Sequence, residues 1–347
     1  MRVVLFAQSL TNRAGIERMT VELACLLSGG YDVSIIVIEP YSFDKLPYFI
    51  EDKINIISLN SNFSKFNIKN ILSLRKHLRN IRPSVLITVA TPLVRITAPA
   101  IIGLDIKNIG WEHFNLYAGS KVGSIWKLIS TYLVATTVVL TDADAENFNR
   151  RKAHNVIVIP NFSTISENKP SCCSSKVLLA VGRHAPQKGF DLLIKAWSKV
   201  NVEDWKLVIV GGGELKEKHE ALAESLGVRE SIIFKDSTPN IVDEYQNASC
   251  FILSSRFEGL VMVLIEAKMM GLPCISYNCP TGPQEIIRDN VDGWLVENGN
   301  VDAMAKTICK VLSLDNIGKY GALARQDAIS RYGVDMALSK WDAVINS

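Results

Sequence analysis

The side chains best suited to chemistry crowd into the second half of this sequence. Glu258 and Glu266 stand in the run Ser254-Ser255-Arg256-Phe257-Glu258-Gly259-Leu260-Val261-Met262-Val263-Leu264-Ile265-Glu266. A strand ending at Leu253, a turn at Glu258-Gly259 and a helix over about 260–271 put one carboxylate ahead of the helix and the other well inside it. So placed, they can accept hydrogen bonds from hydroxyls at opposite ends of an elongated polyol; the plainer alternative is a helix-capping acid and an unrelated Glu. Free backbone N–H groups at a helix start suit a diphosphate, and Gly259 lets the backbone approach one closely. Arg183 and Lys188, in Val181-Gly182-Arg183-His184-Ala185-Pro186-Gln187-Lys188-Gly189-Phe190-Asp191, bracket another strand-to-helix turn. Two cations there can clamp a diphosphate; the alternative is a solvated basic loop. A third such turn is Gly211-Gly212-Gly213, where glycine serves either ligand approach or close strand–helix packing. All three turns gather on one sheet edge, and that convergence points to a nucleotide-diphosphate site.

The elements that must hold these turns are short β-branched runs separated by amphipathic segments. Strands are expected at 3–6, 33–38, 54–57, 85–89, 108–110, 138–140 and 156–159, then at 177–181, 207–210, 232–234, 250–253, 274–277 and 294–296. Several are continuous apolar runs, as strands are when helices cover both faces of a parallel sheet. The stretch 163–175 is Ser-rich and aperiodic, and reads as the linker. The expected fold is therefore α/β, with two Rossmann-like domains whose parallel sheets face a central cleft. The 347 residues suit two domains, and 48% hydrophobic with 21% charged residues excludes a mainly disordered chain. No apolar run reaches the length of about 20 residues that spans a bilayer. The first residues read as a strand rather than an export signal. Seven cysteines without a regular framework or zinc spacing read as incidental thiols in a reducing cytosol.

In order and spacing, Val181-Gly-Arg-x4-Lys-Gly-Phe-Asp, Gly211-Gly212-Gly213, Glu258-x7-Glu266, Cys279-Pro280-Thr281-Gly282-Pro283 and Asp292-Gly293 resemble the retaining, GT-B-fold glycosyltransferases of family 4. The first half is similar more loosely, through Ala14-Gly15-Ile16-Glu17-Arg18, where the family usually has two glycines. Val261 departs from a common proline, which would pre-set φ at the helix start. The resemblance implies domains at 1–165 (acceptor) and 166–328 (donor), with 329–347 as a helix crossing back to the first. It implies that Arg183 and Lys188 neutralise the donor diphosphate, that Glu258 holds a hydroxyl of the transferred sugar, and that Glu266 binds the ribose. His113, in Trp111-Glu112-His113, would touch the donor sugar. Gly15, Gly212, Gly259, Leu260 and Val261 would line the donor site, with the segment 236–241 flanking the base. Transfer would retain anomeric configuration, without a carboxylate nucleophile, a cofactor or a metal. Asp142-Ala-Asp144, the nearest thing to a metal motif, precedes a helix and reads as its N-cap. The run Cys279–Pro283 is similar to that of UDP-hexose users, which favours UDP over GDP.

Charge bears on the acceptor. Residues 1–170 carry 19 Lys and Arg against 13 Asp and Glu, net +6, while residues 171–347 carry 19 against 22, net −3. From 64 to 83 there are six Lys and Arg and no acid, on a stretch whose apolar residues mostly share one helical face. Such a helix either lies on an anionic membrane or is an ordinary sheet-covering helix with a solvated basic face. The segment 121–134 mixes Trp126 and Tyr132 with Lys, and either flanks a lipid-linked acceptor or packs in the core. The expectation is hexose transfer to a lipid-linked oligosaccharide or lipopolysaccharide-type acceptor, by a cytoplasmic protein peripheral on the inner membrane face. Two rivals share the donor chemistry: a UDP-sugar 2-epimerase and a non-catalytic sugar-nucleotide-binding protein. An NAD enzyme would need G-x-G-x-x-G after the first strand, which is missing. Nucleic-acid binding lacks interleaved aromatics.

Overall fold

A computed structural model describes residues 1–12, 15–42, 46–61, 68–117, 120–202 and 204–347. It divides into two compact units, one of residues 1–161 with 337–347, the other of residues 162–336. The first holds β1 (Arg2–Ala7), β2 (Asp32–Val37), β3 (Asn55–Ser58), β4 (Val85–Val89), β5 (Lys107–Trp111), β6 (Thr136–Val139) and β7 (Val156–Val158). All pairings are parallel, in the order β3-β2-β1-β4-β5-β6-β7. The second holds β8 (Val177–Val181), β9 (Lys206–Val210), β10 (Ile232–Lys235), β11 (Cys250–Leu253), β12 (Cys274–Tyr277) and β13 (Gly293–Val296), also parallel, in the order β10-β9-β8-β11-β12-β13.

The apolar runs explain this directly. Every residue of β4, β11 and β12 is buried, because helices pack on both faces of each sheet. In the second unit Leu193, Ile194 and Trp197 of helix Phe190–Trp197 pack against Leu178, Leu207 and Ile252. Strand order reverses between β1 and β4 in the first unit and between β8 and β11 in the second. In open α/β sheets, ligands bind beyond the carboxyl ends of the strands at such reversals. Arg183 and Lys188 follow β8, and Glu258 follows β11.

Several local features differ from the expectation. The Glu266 helix is shorter, Met262–Met269, because Val261 is extended (φ −88°, ψ 91°) and serves as its N-cap. Asp142 and Asp144 lie in the first turn of helix Asp142–Arg150; the N-cap is Thr141, whose hydroxyl accepts from the Asp144 N–H at 3.1 Å. The Ser-rich stretch 163–175 is not a free tether. The Ser171 N–H donates to Met270 O at 2.8 Å and the Ser175 N–H to Ser249 Oγ at 2.8 Å, so serine hydroxyls and backbone fasten it to the second unit. Gly333 separates helices Gly318–Tyr332 and Val334–Asn346. Trp341, on the latter, meets Trp111 edge to face at 5.3 Å within the first unit.

A buried ion cluster ties the Glu266 helix to its surroundings. Lys268 is fully buried, 2.7 Å from Asp327 Oδ2 and 3.2 Å from Asp292 Oδ1. Arg288 closes on Asp292 at 2.7 Å, and Arg331 reaches Asp327 at 3.3 Å. Asp292-Gly293 is thus structural: Asp292 answers Lys268, and a side chain at Gly293 would strike Cys274 O at 2.4 Å.

Candidate donor site

The turns after β8 and β11 are built as one piece. Gly189 sits at φ +63°, where a Cβ would lie 2.1 Å from Ser254 O, so only glycine lets the two loops close. Ser254 Oγ donates to Lys188 O at 2.8 Å, and the Arg256 N–H donates to Gln187 O at 2.8 Å. Beneath them the Arg256 guanidinium grips Asp191 through two bonds of 2.9 and 2.7 Å and reaches Pro186 O at 2.7 Å. Burial alone would push the Asp191 carboxyl up, but Arg256 outweighs it and leaves Asp191 below its ordinary value.

On this base Lys188 Nζ meets Glu258 Oε1 at 2.6 Å, with the side chains only 18% and 8% exposed. Ser255 Oγ donates to the same oxygen at 2.5 Å, and Gln187 Nε2 approaches Oε2 at 3.3 Å. The turn before helix Pro283–Ile286 supports the far side. Thr281 Oγ1 donates to Glu258 O, and Gly282, at φ +90°, packs where a Cβ would be 2.3 Å from Gly259 O. Gly259 itself is exposed, with open space where its Cβ would be. The helix at Met262 has no side-chain cap, and no partner for the N–H of Gly259, Leu260 or Met262 occurs among the described residues. Val261 is buried, so its side chain is part of the core beside this turn. Arg183 is exposed, with no side-chain hydrogen bond or ion pair among the described residues. This corner therefore offers a free guanidinium, an ammonium held by a carboxylate, and an open helix N-terminus.

Glu266 lies deeper. It is 2% exposed and Oε2 accepts from Tyr245 Oη at 3.1 Å. In the glycine turn after β9, Gly211 (φ +153°) and Gly213 (φ +141°) are demanded by packing, since a Cβ would meet Gly182 O at 1.9 Å and His184 N at 2.8 Å. Gly212 faces Ser237 Oγ. Below this turn, His184 Nδ1 and His219 Nδ1 are 2.8 Å apart in the core.

In the first unit His113 follows β5, its ring 4.2 Å from that of Trp111. Burial pushes its imidazole down to about 3, so it is neutral near pH 7, and its Nε2 has no hydrogen-bond partner among the described residues. Neighbouring Glu112 is buried, accepts from the Phe114 N–H at 2.9 Å and from Thr91 Oγ1, and faces Lys127 Nζ at 3.6 Å. Gly15 begins helix Gly15–Leu27 in open space. Beside it, beyond β1 and β4, is a pocket of about 230 Å³ lined by Ser9, Asn12, Ile16, Glu17, Ala90 and Phe114. Ala14 lies outside the described residues.

Comparison with known proteins bears on the family and the fold. The family described as "Glycosyl transferases group 1" matches residues 162–327. An uncharacterised glycosyltransferase of Haemophilus influenzae is 30% identical over 360 residues, covering 99% of each chain. The chain belongs to the glycosyl transferases group 1. Among further relatives, the amylovoran biosynthesis glycosyltransferase AmsD of Erwinia amylovora is 27% identical over 99% of both chains. The Anabaena protein HepE, solved in complex with UDP, shares the fold at TM-score 0.83 and 15% identity over the whole of both chains. The fold of this glycosyltransferase is thus α/β GT-B, with parallel sheets of seven and six strands.

In this glycosyltransferase the structure brings Lys188 against Glu258, next to Gly259, while Glu266 is buried eight positions further on, inside helix Met262–Met269. Sequence reasoning missed Ser255, Gln187 and the Asp191–Arg256 pair. Asp191 and Arg256 each stand inside a quoted motif, but they are 65 positions apart and nothing local links them. Tyr245 and the Glu112–Lys127 pair were missed for the same reason. Among the described residues no cluster of three His, Cys, Asp or Glu is placed to hold a metal.

Proposed function

We propose that this glycosyltransferase moves a hexose from a nucleotide-diphosphate sugar, UDP-linked, to a hydroxyl of a lipid-linked oligosaccharide or lipopolysaccharide-type acceptor in surface polysaccharide synthesis. The observation that carries this reading is the Lys188–Glu258 pair, set at the strand reversal beside an uncapped helix start and an unpaired Arg183. The diphosphate would lie on the N–H groups of Gly259, Leu260 and Val261, with Gly212 and Gly15 allowing its approach and Arg183 and Lys188 balancing its charge. Glu258 would accept from a hydroxyl of the transferred sugar and Glu266 from the ribose, with His113 against the sugar.

In this reading the bond from the anomeric carbon to the diphosphate oxygen breaks as the acceptor oxygen bonds to the same face. The acceptor's proton passes to the departing phosphate, so configuration is retained without a protein nucleophile. Charge grows on the phosphate as the bond stretches, so a cation 2.6 Å from Glu258 acts most strongly in the transition state. Two cations make a metal unnecessary. The AmsD similarity supports a role in polysaccharide assembly, and the UDP complex of HepE supports the donor.

A lipid-linked acceptor supports peripheral membrane attachment at the cytoplasmic face. Among the described residues, no helix is long and apolar enough to cross a membrane. Of the basic stretch 64–83, Lys65 lies outside the described residues, and Arg75 is used internally, donating to Ala100 O at 2.8 Å and Ile102 O at 2.7 Å. Lys76 and Arg79 are exposed on helix Ile68–Ile81, whose Leu74 and Leu78 are buried. Calorimetric titration with UDP and GDP, each with and without EDTA, tests the donor reading. UDP binding that survives EDTA is expected; GDP preference overturns the donor, and loss with EDTA overturns metal independence.

A further inference from the structure

Helix Lys121–Thr131 in the first unit is amphipathic the wrong way round. Its buried residues are Lys127, Ser130 and Thr131. Val122 is 76% exposed, Ile125 58% and Ile129 44%, at the i, i+3, i+7 spacing of one helical face. Tyr132 and Leu133 prolong that face at 62% and 44% exposure. A helix on a soluble domain turns its apolar stripe to the core. This one does the opposite because polar anchors hold it. Ser120 caps its start, accepting from the Gly123 N–H at 3.1 Å. Lys127 Nζ donates to Asn115 O at 2.7 Å beside buried Glu112, and Thr131 Oγ1 accepts from the His154 N–H at 3.0 Å.

Two features of the molecule say what covers this face. The first is charge. No Asp or Glu occurs between Glu112 and Asp142, Lys121 is exposed at the helix start, and Tyr132 Oη donates to Lys152 O, bringing Arg151-Lys152 beside the far end. Apolar, flanked by cations, drawn from a stretch without acids and ending in exposed Tyr132, the face matches an anionic bilayer interface, where basic residues attract headgroups and aromatic rings settle. The second is continuity with the pocket beside Gly15. An open groove of about 740 Å³ runs along the helix, lined by Pro92, Arg95, Phe114, Val122 and Trp126. It shares Pro92 and Phe114 with the 230 Å³ pocket, where Ser9, Asn12 and Glu17 stand among apolar residues.

We infer that Val122, Ile125, Ile129, Tyr132 and Leu133 form the surface by which this protein docks on an anionic phospholipid bilayer, with the groove leading a lipid-linked acceptor from the bilayer towards the pocket beside Gly15. This deepens the acceptor reading above and rests on it. The membrane surface it names is this inverted helix rather than the basic helix Ile68–Ile81.

The test is co-sedimentation with vesicles of phosphatidylglycerol and phosphatidylethanolamine, and with phosphatidylcholine alone. Wild type is expected to bind the anionic vesicles and the paired variant Ile125→Asp with Ile129→Asp to bind at least about tenfold more weakly. Both substitutions are on exposed positions, so melting temperature and UDP affinity are expected to stay unchanged; this separates failure of the membrane face from failure of the donor reading. Three outcomes overturn the proposal. One is undiminished vesicle binding by the paired variant. Another is its loss in Lys76→Glu with Arg79→Glu alone. The last is a wild-type dimer in solution that Ile125→Asp with Ile129→Asp dissociates, which would make the face a contact between two copies.

Discussion

Lys188 Nζ lies 2.6 Å from Glu258 Oε1, across two loops 70 positions apart in the chain. Both side chains are largely withdrawn from water, so each is the other's main source of compensation. In the proposed reading, a donor diphosphate arriving at this corner would compete with Glu258 for the ammonium. The pair would then keep the cation aligned before the donor binds and release part of it as phosphate charge develops.

Lys188→Ala follows from this. Ground-state binding of UDP keeps Arg183 and the helix N-terminus, so affinity is expected to fall less than tenfold, while turnover falls roughly 100- to 1,000-fold, the usual loss for a removed transition-state charge partner. Steady-state kinetics with a UDP-sugar read both. Unchanged turnover would remove Lys188 from the diphosphate.

Gly189→Ala and Gly259→Ala separate architecture from ligand approach. At Gly189 a methyl group meets Ser254 O at 2.1 Å on a backbone with φ +63°, so the loops must part. A loss of about 2 kcal/mol or more in denaturant unfolding is expected, with activity. At Gly259 the space is open and φ is not left-handed. Gly259→Ala is expected to unfold like wild type yet bind UDP about tenfold or more weakly, because the methyl occupies the ligand's space. Equal loss of stability in both would contradict the assignment.

These two glycines also show what can be read in advance. Both stand in motifs visible in the sequence, yet only tertiary contact tells that one serves packing and the other faces open space. The strands were legible because apolar β-branched runs such as 85–89 and 250–253 have one use in a doubly covered sheet. Glu258 and Lys188 were legible as candidates from motif spacing, but their contact was not, since it depends on Gly189 closing the loops. The segment holding helix Lys121–Thr131 was legible as one that mixes aromatic and basic residues. Its orientation was not, because burial of Lys127 depends on Glu112 and on the carbonyls of Phe114 and Asn115.

Glu266 is expected to act on the nucleotide rather than on transfer. The Tyr245 hydroxyl donates to its carboxylate at 3.1 Å and also approaches Val263 O at 3.4 Å, so Tyr245→Phe removes the tyrosine's bond to the carboxylate and leaves the carboxylate in place. Glu266→Ala is expected to weaken UDP binding about 100-fold and Tyr245→Phe about five- to tenfold, matching one charge-assisted hydrogen bond. Calorimetry with UDP reads both. Equal UDP affinity in Glu266→Ala and wild type would detach this residue from the ribose.

Acid sensitivity tests the buried histidines. Burial, with His219 and Lys216 adding to it, pushes His184 down to about 4. An unfolded chain protonates His184 near 6.5, so between about pH 6.5 and 4 the unfolded state binds more protons and stability falls with pH. For a fully buried ring the loss is about 3 kcal/mol by pH 4. His184→Gln keeps a polar group beside His219 but does not titrate, so its unfolding free energy is expected to drop less between pH 7 and pH 4 by about that amount. His113 is held down to about 3 by burial, so it stays neutral over the range in which transfer is measured. His113→Gln is therefore expected to lower turnover without moving the pH profile between 5.5 and 8. A wild-type limb near 6.5 that disappears in His113→Gln would mean the imidazole works as an acid or base, not as a neutral hydrogen-bonding group against the sugar.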